Sequence, residues 1–157
     1  MVNDDSARVF LRHAIATVAY RGEKALRDAP EGFSDFQAAE GSRTAGQILA
    51  HVGDLFDWAL ILARDGKHAW HNSAPLSWPA ETDRFRAGLA ALDAHLASAL
   101  PLNAPAEKLF QGPIADALTH IGQIAMLRRL AGAPIQGENY FRAEIEAGQS
   151  SAQGSKS

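Results

Sequence analysis

Apolar residues recur along this chain at intervals of three and four, which places them on one face of an α-helix, and β-branched runs are few. The pattern predicts four long helices and a short fifth one. The first runs from Asp5 to Ala29, with Val9, Phe10, Ala16, Val18 and Tyr20 among its apolar positions, and stops before Pro30 and Gly32. The second follows Ser42 as N-cap and ends at Asp65, with Gly66 as its stop. The third opens at Pro79 and passes through Phe85, Leu89, Leu92 and Leu96 to Leu100, ahead of Pro101. The fourth takes Gly112 as cap and Pro113 in its first turn, where a missing N–H costs nothing, and stops at Gly132 and Pro134. The short helix covers Glu138 to Ala147. From Gly148 onward the segment GQSSAQGSKS has almost nothing to bury and is expected to be disordered, leaving residues 1–147 as one helical domain.

Helices of this length in one domain predict an all-α four-helix bundle. The link between the second and third helices, Gly66 to Trp78, is long enough to run the length of the bundle, so a crossover is open to it. Trp70, Leu76 and Trp78 in that link predict that it packs down on the helices. On the second helix Ile48, Leu49, Val52, Leu55, Phe56, Leu60 and Leu62 spread over an arc of about 160°. The fourth is similarly apolar on two sides, with Met126, Leu127 and Leu130 opposite Ile114, Leu118, Ile121 and Ile124, and Gly122 leaving room for close approach. One face for a core and another for a partner predicts a homodimer.

Composition narrows the chemistry. Without cysteine there are no disulfides, thiol nucleophiles or sulfur-ligated metals, so His, Asp and Glu are the available ligands. The net charge of −3, with no basic cluster beyond Arg128 and Arg129, argues against nucleic acid as a partner. The first residues are acidic and the longest apolar run, Trp58 to Ala63, is too short to span a bilayer, so no membrane partner and a cytoplasmic location are expected.

No phosphate-binding loop, dinucleotide fingerprint, nucleophile elbow or zinc-protease motif is present. What remains is polar residues on apolar faces. His51 sits beside Ile48, Leu55, Trp58 and Leu62, and a histidine there needs a partner. Asp116, His120 and Gln123 share a stripe of the fourth helix that continues into Leu127 and Leu130, so all three are expected to face inward. A carboxylate and an imidazole one turn apart, met by a histidine from a facing helix, can converge on one divalent ion such as Zn, Ni or Fe, and three protein ligands leave a position open. The plainer alternative is a surface Asp–His pair near a helix start and a hydrogen-bonded core histidine. Gln123 and Asp54, each a turn from a proposed ligand, are placed to orient an imidazole. Trp58 and Tyr140 are candidates for the mouth of the site. His13, His68 and His71 read as half-exposed or surface histidines, His95 as solvent-facing, and Arg128 and Arg129 as cations favoured by the helix dipole with a lesser claim as anion binders.

The segments GQILAHVGDLFDWAL and GPIADALTHIGQIAMLRRLAGAPIQGENYFRAEI resemble the DinB family of DinB/YfiT-like metalloenzymes, with THIGQ and LRRLAGAP the most specific stretches. The resemblance implies a four-helix bundle, usually dimeric, whose divalent metal is held at the positions of His51, Asp116 and His120. Most members have His where this sequence has Asp116. With two neutral imidazoles and one carboxylate, a 2+ ion would leave a +1 site. Relatives of this fold imply a metal-dependent transferase that acts on an electrophile with a low-molecular-weight thiol, the bound ion stabilising the thiolate. The rival expectation is a non-catalytic, dimeric binding or stress-response bundle with a structural polar cluster.

Overall fold

Helix ends settle where the free N–H and C=O groups of their terminal turns find partners, and this moves several boundaries from their expected places. The computed structural model describes residues 4–148. In it α1 spans Asp4–Leu26, α2 Ala45–Asp65, α3 Trp78–Ala97, α4 Ala106–Leu109 and α5 Ala115–Leu130. A 3₁₀ turn, Phe33–Asp35, precedes α2, and a π-helical turn, Phe110–Ile114, joins α4 to α5 without a break. The described residues contain no strand. The tail expected to be disordered lies, after Gly148, outside them.

Helix α1 stops three residues early because Asp28 turns into the left-handed region at φ 56°. The N-cap of α2 is Thr44, not Ser42. Thr44 Oγ1 accepts from the Gln47 N–H while Gln47 Oε1 accepts from the Thr44 N–H, closing a reciprocal capping box. Ser42 instead closes a turn on the backbone of Ala39. The fourth predicted helix starts earlier than Gly112. Pro113 lies inside a continuous helical path, and the wide π turn absorbs the N–H it lacks.

The short helix expected over Glu138 to Ala147 is absent, and the segment there forms turns and irregular chain. Its side chains are held by α1 instead. Glu138 accepts from Tyr20 at 2.9 Å and from Lys24 at 2.7 Å, and Tyr140 meets Tyr20 edge-on beneath the Arg21 guanidinium, 3.9 Å from the ring centroid. In so short a segment these contacts outweigh the gain from helix formation, which carries a nucleation cost.

Pairwise contacts fix the topology. Arg12 bonds Asp93, and Arg86 bonds Glu23, so α1 and α3 are antiparallel. Arg84 reaches Ala50 and Asp54 while Gly88 faces Phe56, so α2 and α3 run parallel. Trp58 lies beside Gly112 and His51 beside Asp116, so α2 and α5 are antiparallel. A parallel α2/α3 pair requires the Gly66–Ser77 link to run the length of the bundle, the crossover left open by the sequence. Helix α2 then packs against α3 on one side and α5 on the other. The link also lies against it, through Trp70 on Trp58 and Ser73 on Asp54. Most of its wide apolar arc is therefore covered within one chain: Ile48, Leu49, Val52, Leu55, Phe56 and Leu62 are buried and Leu60 is half-buried. This removes the reason for seating a partner on α2. On α5, Met126 and Leu130 remain exposed.

Candidate metal centre

Antiparallel α2 and α5 bring His51, Asp116 and His120 together, their ligand atoms all within 4.8 Å of one another. His51 Nε2 is 3.3 Å from Asp116 Oδ2. His120 Nδ1 lies 2.7 Å from the Asp116 carbonyl oxygen. A carbonyl only accepts, so the Nδ1–H of His120 is the donor, and in the neutral ring the lone pair is on Nε2. The two imidazoles stand 4.5 Å apart, centroid to centroid. Both His side chains are largely buried, at 16% and 12% exposure, whereas Asp116 is 44% exposed, so the cluster is closed behind and open on the aspartate flank.

Burial holds the His51 pKa below the ordinary imidazole value, since a charged ring is poorly solvated there. The nearby His120 and Arg43 act in the same direction, and Asp116 opposes them without prevailing. His51 is therefore neutral at neutral pH, the form that binds metals.

The other expected site residues are placed differently. Asp54 is buried but faces away from the imidazoles. Its carboxylate accepts from the Ser73 N–H at 2.9 Å, the Ser73 hydroxyl at 2.6 Å and Arg84 at 2.6 Å. Asp54 thus fixes the crossover, and the crossover lays Trp70 against His51, rings 5.4 Å apart and inclined at 65°. Gly53 leaves the space in which the Arg84 guanidinium sits, where a Cβ would meet Nη1 at 2.5 Å. Gln123 is exposed on the outside of α5, not turned inward. Tyr140 packs on α1, against Tyr20, Arg21 and Lys24. Trp58 is half-buried, two turns along α2 from His51, with Trp70 at 5.7 Å and His68 at 6.0 Å.

Among the remaining candidates, His13, His68 and His71 are exposed and outside the cluster. His95 is not solvent-facing: it is buried, its Nε2 3.1 Å from the Pro101 carbonyl. Arg128 is not an anion site either. Its guanidinium is buried and donates to the carbonyls of Ala25, Arg27, Asp28 and Ala133, so every hydrogen bond it makes is to main chain. The contributions of Trp70 and Ser73 were missed because they depend on where a loop lands, and only the surplus of aromatic residues in that loop hinted at packing.

No family model, curated protein or solved structure matches the chain. The thiol-dependent transferase expectation, with a thiol and an electrophile as partners, is corrected. The chain has no cysteine, the cluster offers only imidazole nitrogen and carboxylate oxygen, and nothing in it supports thiol chemistry. No helix among the described residues is long and apolar enough to cross a membrane.

Proposed function

We propose that this is a metal-binding helical bundle of DinB-like type, in which His51, Asp116 and His120 hold one divalent cation and leave coordination positions open on the Asp116 flank. The convergence of three ligand atoms from two packed helices carries this reading. Two ligands about 2.1 Å from one ion stand at most ~4.2 Å apart, so small rotamer changes bring the trio to bonding distance. The donor set also fits: His51 is neutral, and the hydrogen bond from His120 Nδ1–H to a fixed carbonyl orients that ring, as is usual for metal-bound imidazoles. Nitrogen and carboxylate ligands suit Zn²⁺, Ni²⁺ or Fe²⁺. The bound ion would act as a Lewis acid toward whatever oxygen or nitrogen donor fills its open position.

The test is metal titration of chelator-treated protein, followed by melting temperature and calorimetry. Zn²⁺ or Ni²⁺ should raise the melting temperature by mass action, and His51→Ala, Asp116→Ala and His120→Ala should each abolish the rise. Asp116→His, which restores the ligand common in the resembled family, should retain it. A wild type that melts identically with metal and with chelator would overturn the reading.

A further inference from the structure

The residues around the cluster differ on its two sides. Toward the start of α2 stands Arg43, an exposed cation whose charge is felt at His51. In the other direction the wall is aromatic: Trp70 against His51, then Trp58 against Trp70, with the Trp58 ring edge 3.9 Å from the Cβ position of Gly112 on the π turn. Trp58 Nε1 is buried and has no hydrogen-bond partner among the described residues. An indole N–H sealed from water without an acceptor is costly, and the perpendicular Trp70 ring offers at most a weak N–H···π contact. A metal centre of net charge +1 with an arginine beside it favours an anion, a flat aromatic wall favours a flat body, and an unpaired donor favours an acceptor on that body.

Resting on the metal-site reading above, we propose that the cluster takes a small planar aromatic carboxylate on its aromatic side. One carboxylate oxygen fills the open position on the ion, the ring lies against Trp70, and a hydroxyl or carbonyl at its far end accepts from Trp58 Nε1. Asp54 contributes at one remove, by holding the loop that carries Trp70.

The experiment uses the full chain loaded with Zn²⁺, whose uptake is measured first, and titrates it with acetate, benzoate and 4-hydroxybenzoate by calorimetry and tryptophan fluorescence. Benzoate should bind about tenfold more tightly than acetate, and 4-hydroxybenzoate about fivefold more tightly again. Both aromatic acids should change the tryptophan emission, and acetate should not. Trp70→Ala should erase the preference for benzoate over acetate, and Trp58→Phe should erase only the gain from the hydroxyl, each variant being compared after its own Zn²⁺ uptake is measured. Equal affinity for acetate and benzoate in zinc-loaded protein would overturn this inference and leave the metal site standing. Failure to take up Zn²⁺ would overturn both.

Discussion

Arg128 shows how a single side chain can serve architecture while its position suggests chemistry. It sits in the last turn of α5, where a cation is favoured by the dipole of its own helix, but its Nε–H turns to the Ala133 carbonyl and its Nη1 and Nη2 donors to the end of α1. They satisfy carbonyls that the sharp turn at Asp28 leaves without helical partners. Desolvation pulls its pKa down, yet an arginine stays charged, so the pairing to carbonyls must hold. Arg128→Met should therefore cost about 2–4 kcal/mol in urea unfolding, since several buried carbonyls lose their donors together. Arg129→Met, one residue along and exposed, should stay within about 0.5 kcal/mol. At this scale the sequence was partly legible. Spacing placed Asp116 and His120 on one stripe, and a polar residue on an apolar face singled out His51. The surroundings of Gln123, Arg128 and His95 were not legible, because a helical period says which residues share a face but not which neighbour covers it.

The elements repeat the same devices. Arg8 donates to the Leu100 carbonyl at 2.7 Å and to those of Leu96 and Ser98 more weakly, closing the end of α3 much as Arg128 closes α1. The crossover depends on Asp54. Burial alone would raise the pKa of this carboxyl, but the bonds from Ser73 and Arg84 outweigh it and hold the pKa below the usual value. A folded-state pKa below the unfolded one means that Asp54 stabilises the fold fully above the ordinary carboxylate value. That contribution is lost as pH falls through the folded value. Asp54→Asn should thus be less stable than wild type by a constant amount from neutral pH down to about pH 5, with the gap closing on further acidification. Urea midpoints across that range check it, and Trp70 emission should shift in the variant at neutral pH as the loop loosens. The long helices were legible from periodicity and the end of α2 from Gly66, whereas α3 ends at Ala97, short of the expected Leu100, where Ser98 turns to extended backbone. The start of the fourth helix was not legible, because Pro113 carries the same local signal at a first turn as within a π turn, and only the packing of α4 and Phe110 decides between them.

At the scale of the whole molecule, the parallel α2/α3 pair sets α1 diagonally across the bundle from its sequence neighbour α2. Every partner of α1 then comes from far along the chain: Arg12 to Asp93, Glu23 to Arg86, and Ala25 to Arg128. No helical hairpin of consecutive elements can hold α1 during folding, so it gains its contacts only after α3 and α5 are in place. Interactions formed that late are absent from the transition state and act on the rate of unfolding. Breaking the α1 ties should accordingly steepen escape from the native state while leaving the approach to it nearly unchanged. In stopped-flow traces Arg128→Met should unfold roughly tenfold faster or more, with a refolding rate within about twofold of wild type. The connectivity that delivers Trp70 to the metal cluster thus also makes α1 the last element to arrive and the first to leave, and the lifetime of the native state becomes a property of that one helix.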